Sequence, residues 1–149
     1  MDPDETRALL EAPSAAVLAV YRPDGTVLMS PVWFRAVDQS IEVVIAEGDA
    51  KLERLRADPR CVFMAFETAT PFRGLRVEAM AALSTDGVRA ARLAIASRYL
   101  GAEGGQAYVQ QRTKPGVVVR LPLSSARTWD LRPILPDLQT SSSAAGEHQ

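Results

Sequence analysis

The sequence predicts a mainly β domain with a few helices, built as a small antiparallel barrel of about six to seven strands. Three observations carry this reading. Short apolar and β-branched runs recur along the chain. Successive runs are joined by brief polar turns such as Pro23-Asp24-Gly25, which is hairpin order. After an opening helix, helical patterns enter only after the third and fifth runs, whereas a parallel α/β sheet would need one between most strands.

Taken in order, Asp4 to Ala12 reads as a short helix with Leu9 and Leu10 as its apolar contacts and Pro13 as its stop. Ala15 to Arg22 and Thr26 to Phe34 flank the Pro23-Asp24-Gly25 turn as an antiparallel pair. Pro31 has no ladder donor, so the second strand bulges or sits at an edge there. Ile41 to Ala46 is the third strand, after a polar turn at Asp38-Gln39-Ser40. A turn at Gly48 then leads to Asp49, a natural N-cap, and to a helix that carries Lys51, Leu52, Leu55 and Arg56 and ends at Asp58-Pro59. Lys51 falls in the first helical turn, where unpaired N–H groups and the positive end of the helix dipole favour a phosphate. An ordinary solvated helix fits the same residues.

Cys61 to Phe66 is apolar throughout and reads as a buried strand. Leu75 to Leu83 alternates, with Leu75, Val77, Ala79 and Ala81 on one face and Arg76, Glu78 and Met80 on the other. Thr85 or Asp86 caps a helix running to about Leu100 with Val88, Ala91 and Ile95 inward, Gly101 stops it, and a shorter helix follows at Glu103 to Gln111. Lys114-Pro115-Gly116 turns into Val117 to Leu121, and Ser125 to Leu131 supplies the last strand. Residues 1–138 are expected to form one domain and 139–149, polar and small, a disordered tail.

Composition narrows the function. With 149 residues, 47% hydrophobic residues and a net charge of -1, the chain offers no general nucleic-acid surface. Its apolar runs are too short to span a bilayer, and the acidic opening lacks a basic stretch followed by a long apolar core, so a cytoplasmic protein is expected. The single histidine, His148, lies in the tail, which removes the usual triads and histidine metal sites. Cys61 sits in an apolar run and reads as a small buried hydrophobe. No serine elbow, P-loop, GxGxxG or cysteine pair is present, so no catalytic side chain and no metal site is assigned.

Such a chain suits a bound cofactor that carries the chemistry itself. Ser30-Pro31-Val32-Trp33 combines irregular strand backbone with an aromatic able to cover a planar heterocycle, and it also suits plain core packing. Lys51, with Arg54 and Arg60, is placed to hold a phosphate. Arg98-Tyr99 and Arg127-Thr128-Trp129 set arginines beside aromatics, as site linings or as packing. Lys51 and Lys114 are the only lysines against fifteen arginines. Lys114, in a turn before Pro115, is expected to matter little.

The order DGTVLMSPVWF, IEVVIAEGDAK, LERLRADPRCVFMAF, SRYLG and RTWDL resembles the pyridoxamine 5'-phosphate oxidase-like split-barrel family, in particular its flavin and deazaflavin oxidoreductases. The resemblance covers nearly all of Ala12 to Leu131. It implies a split barrel of the FMN-binding type and a homodimer with two cofactor sites between the chains. It further implies a hydride passed between FMN or a deazaflavin (coenzyme F-420) and a small unsaturated or carbonyl substrate. By position, Ser30, Pro31, Val32, Trp33, Ile45 and Ala46 would line the ring and ribityl region, Lys51 would meet the phosphate, and Trp129 would approach the ring from the partner chain. The sequence departs from the family in placing Asp49 and Ala50 before Lys51, which makes the phosphate site less basic. A non-enzymatic carrier of flavin, haem or another small ligand in the same groove is the alternative.

Overall fold

The computed structural model describes residues 1–136, so the expected tail at 139–149 lies outside the described residues. Asp2 accepts from Glu5 N–H at 2.8 Å and receives the Glu5 carboxylate on its own N–H, a capping box that starts α1, Pro3–Glu11. Strands β1, Ala15–Tyr21, and β2, Val27–Pro31, form the expected hairpin. Pro31 ends β2, which lies at the edge of its sheet, where a missing donor costs least. The run to Phe34 is therefore not strand but a loop.

Next come β3, Arg35–Val37, and β4, Ser40–Ala46, joined by a tight turn in which Asp38 and Gln39 both take positive φ. Helix α2, Ala50–Ala57, is capped by Asp49, whose carboxylate accepts from Lys51 N–H at 2.9 Å, and it buries Leu52 and Leu55. Strand β5, Arg60–Phe66, pairs with β1 and with β6, Gly74–Met80.

The expected single strand from Leu75 to Leu83 is two strands. At Ala81 the chain leaves one sheet, its N–H donating to Pro59 O at 2.8 Å, and β7, Ala82–Ser84, joins the other. The expected caps of the following helix are also corrected. Asp86 N–H is taken by Ser84 Oγ, and α3, Val88–Gln111, begins after Gly87 without a side-chain cap. Gly101 interrupts α3 with φ 80 and ψ 168, so the helix stops there as expected and resumes. Ala91 and Ile95 are buried and Val88 is half-buried. Strand β8, Gly116–Pro122, leads through a 3-10 turn, Leu123–Ser125, to β9, which spans only Arg127–Trp129 instead of Ser125 to Leu131.

Among the described residues, nine strands form two antiparallel sheets, in the orders β2-β1-β5-β6-β9 and β3-β4-β8-β7. They face each other across one core in which Leu18, Phe34, Ile41, Leu52, Phe63, Leu75 and Val119 are fully buried. The sheets do not join all round, which makes the architecture a split barrel. Helix α3 packs over β3, β4 and β8, and α1 packs against β3, β5 and β6. Among the described residues no helix is long and apolar enough to cross a membrane.

Two buried titratable side chains test the core. Cys61 is 2% exposed, and burial pushes its thiol up to about 11. The native protein at pH 8 is expected to leave a thiol reagent such as Ellman's unreacted over minutes, with one equivalent released on denaturation; prompt native labelling would show that β5 opens. Glu42 is also 2% exposed, and sheet register flanks it with Arg35 of β3 and Arg120 of β8. Arg35 Nε donates to it at 2.8 Å and Arg120 Nε at 3.0 Å.

Candidate functional site

A cleft of about 370 Å³ opens where the loop after β2, the end of β4, the start of α2 and one side of α3 meet. This volume is within the usual range for small-molecule sites. The Pro31–Trp33 loop lies here because Pro31 ends the ladder, and Val32 N–H returns to Ala16 O at 3.1 Å. Trp33 is 37% exposed, stacks on Tyr99 at 5.1 Å with 10° between planes, and leans on Tyr108 at 5.2 Å. Tyr99 fastens the loop: its hydroxyl donates to Ser14 O at 3.0 Å and accepts from Phe34 N–H, and burial raises its pKa. The indole is thus held in place before any ligand arrives.

Ile45 and Ala46 form part of the strand wall, and the first turn of α2 closes one end. Lys51 is largely covered there, its Nζ 3.0 Å from Asp49 Oδ2. Burial raises the Asp49 pKa, but hydrogen bonds from Lys51 backbone and side chain outweigh it and hold the carboxyl below its ordinary value. Asp49 is therefore an anion beside Lys51 at neutral pH, as the departure in sequence implied.

Helix α3 and its C-cap contribute what the sequence did not point to: Arg92, Ile95 and Ala96 before Gly101, Tyr108 after it, and Arg112 at the cap. Arg92 Nη1 donates to Lys114 O at 3.2 Å. A side chain on Gly116 would begin 2.4 Å from Arg92 Nη2, so only glycine lets that guanidinium lie against β8. Arg112 stands 4.7 Å from the centre of the Tyr108 ring. The legible signal was the i, i+4 spacing of Arg92 and Ala96, which puts the pair on one side of the helix; Arg112 is the residue that follows α3, with extended backbone.

Of the sequence-predicted site residues, Pro31, Val32, Trp33, Ile45, Ala46 and Lys51 share this cleft. Ser30 is half-buried on the alternate side of β2, the side of Leu28, which packs on the core. Arg54 and Arg60 also stand elsewhere. Arg54 Nε donates to Tyr21 O at 3.1 Å, while Arg60 is held by Asp58 at 2.8 Å and lies 4.8 Å from the Tyr21 ring centre. Trp129 is outside the cleft of its own chain. It lies flat over Gly74, where a Cβ would come within 2.1 Å of its ring, and its Nε1 donates to Phe72 O at 3.0 Å. Arg98 is used in packing, donating to Leu10 O and Ala12 O.

The charged groups lining the cleft are therefore Asp49, Lys51, Arg92 and Arg112, beside an aromatic wall. No group of three His, Cys, Asp or Glu side chains among the described residues is placed to hold a metal. This arrangement can bind a planar ring with an anionic tail.

A family model described as pyridoxamine 5'-phosphate oxidase matches residues 2–130. Among solved structures, a conserved hypothetical protein from Mycobacterium tuberculosis is similar at 25% identity and a TM-score of 0.78, over 93% of this chain and 91% of that one. An F-420 reductase is similar at 22% identity and a TM-score of 0.67, over 85% of this chain and 98% of that one. A heme storage protein from Vibrio cholerae is similar at 16% and 0.64, over 84% and 92%. The last two likenesses are of fold. No curated protein matches the sequence.

Proposed function

The chain belongs to the pyridoxamine 5'-phosphate oxidase family, and from that premise we propose that its cleft binds a flavin-type cofactor, FMN or the deazaflavin coenzyme F-420. The protein then acts as an oxidoreductase on a small unsaturated or carbonyl substrate. The observation that carries this reading is the meeting in one cleft of a pre-stacked aromatic, Trp33 on Tyr99, with three cations, Lys51, Arg92 and Arg112. The residues fit such a group, since the indole and the Ile45–Ala46 wall suit a planar ring and the cations suit its phosphate. When bound, the ring supplies the hydride chemistry. The chain's own part is to seat the anion at Lys51 and Arg92 and to keep water from the ring with the Trp33 loop. The likeness of fold to an F-420 reductase supports the deazaflavin.

A homodimer completes this proposal. The outward face of the five-stranded sheet leaves Met29 58% and Met80 59% exposed, with Val27 also uncovered. A second copy covering such a face would bury the 2,000 Å² or more common in obligate dimers. Sedimentation at micromolar concentration is expected to give a dimer, and a monomer there would remove the shared site.

Purified protein tests the cofactor. A yellow sample with flavin absorbance supports FMN, and a colourless one that quenches deazaflavin fluorescence supports coenzyme F-420. Failure of both to bind at micromolar concentration overturns the reading. The second reading, a non-enzymatic carrier of a flavin, haem or another small ligand, is favoured by one observation: Lys51 is already neutralised by Asp49. Reduced cofactor oxidised no faster with protein than without, over a panel of enones, quinones and tetrapyrroles, would select the carrier.

A further inference from the structure

Next to the cleft lies a groove of about 360 Å³ between α3 and the start of β8, and the two depressions share Arg92 and Arg112. Resting on the cofactor reading above, we infer that Arg89, Arg92, Arg112 and Lys114 form a second anion subsite. The ligand is then elongated and carries a second anionic group, carboxylate or phosphate, beyond the one seated at Lys51.

Charge carries the argument. The groove contains one carboxylate, Glu47, and Arg56 already holds it in a two-point contact at 2.6 and 2.9 Å. Among the described residues, none of the four cations forms an ion pair. Four convergent positive charges repel one another, in a chain whose net charge is -1. Two of them are also held before any ligand arrives: Arg92 by Lys114 O and the bare backbone of Gly116, Arg112 by the Tyr108 ring. Fixed donors lose little freedom on meeting an anion. Lys114 links the groove to the cleft, because its Nζ stands 3.7 Å from where a side chain on Gly48 would begin, beside the turn that opens α2. On this inference Lys114 contributes to holding a second anionic group, a role the sequence alone did not assign it.

The test uses Arg89→Gln with Lys114→Gln in one variant, since these two line only the groove. Wild type and variant are titrated with FMN, with FAD and with the deazaflavin bearing an oligoglutamyl tail, after circular dichroism melting shows the variant folded. FMN affinity is expected to stay within about twofold, while a ligand with a second anionic group is expected to weaken by about 10- to 100-fold. Loss confined to FAD identifies the second group as phosphate, and loss confined to the tailed deazaflavin identifies it as carboxylate. Unchanged affinity for all three, or an equal loss for all three, overturns the subsite while leaving the cleft reading standing. No binding of any ligand by wild type overturns both.

Discussion

Glu42→Ala is expected to destabilise the fold by about 3–5 kcal/mol, because it removes the shared partner of two arginines from inside a sheet. The carboxylate is 2% exposed, whereas the Arg35 and Arg120 side chains are 28% and 50% exposed and keep access to water. That access places the effect toward the lower end of the range. Glu42→Gln keeps the shape and loses the charge, and should cost roughly half as much, since charge-assisted bonds contribute about 1.5–3 kcal/mol and neutral ones about 1. The pH dependence has a definite sign. Burial pushes the Glu42 carboxyl up, but hydrogen bonds from Arg120 and Arg35, and their charges, outweigh burial and leave it below its ordinary value of 4.5. The unfolded chain therefore binds this proton more readily. The contribution is complete above about pH 4.5 and is lost as pH falls through the lower folded value. Urea unfolding of wild type and Glu42→Gln at pH 7 and at steps from pH 6 to 3 measures this. The two stabilities should converge at the acid end, and parallel curves would show that the ion triad contributes nothing to acid sensitivity.

This triad also shows where the sequence stops being legible. In Ile41-Glu42-Val43, alternation puts Glu42 opposite two core residues, which reads locally as a charge facing water. Only register brings Arg35 and Arg120 to its two sides, and register with β8 is set by pairing across the length of the chain. The same division runs through the fold. Runs such as Ala15–Tyr21 and Arg60–Phe66, and the Asp49 cap of α2, are local signals and were readable. The crossing at Ala81 was not, because alternation continues through it, and the change of sheet shows only in long-range contacts, the hydrogen bond to Pro59 and the pairing of β7 with β8.

In the cleft, the Pro31–Trp33 loop, Ile45, Ala46 and Lys51 were legible because each sits at a local irregularity: a proline in a strand, a strand end, a helix start. The contribution of α3 was hidden. Periodicity turned attention to its apolar side, and the value of Arg92 depends on Gly116, a glycine far along the chain whose missing side chain makes room. Arg54 and Arg60 do not line the cleft of their own chain. Closeness in sequence to Lys51 suggested one basic cluster, yet Arg54 donates to Tyr21 O and Arg60 to Asp58.

Substitutions at Lys51 and Asp49 are expected to move anion binding in opposite directions. Lys51→Ala removes the one ammonium in the cleft at the start of α2 and should weaken FMN or deazaflavin binding by about 10- to 100-fold, the value of one charge-assisted contact. Asp49→Asn keeps an oxygen that can accept from Lys51 N–H, now at 2.9 Å, so the helix cap survives. It removes the negative charge that lies 3.0 Å from Lys51 Nζ and competes with any incoming phosphate. Binding should therefore tighten by about tenfold, equivalent to about 1.4 kcal/mol. Folding stability should move by no more than about 0.5 kcal/mol in Lys51→Ala, since the residue is outside the core. Asp49→Ala serves as the control, because it frees Lys51 and also breaks the cap at a cost of about 1 kcal/mol. Fluorescence titration with FMN and with the deazaflavin at two salt concentrations reads the effect, and the gain from Asp49→Asn should shrink at high salt as screening weakens the repulsion it relieves. Equal affinities for wild type, Lys51→Ala and Asp49→Asn would show that the pair only ornaments a solvated helix and that the anion is held by Arg92 and Arg112 instead.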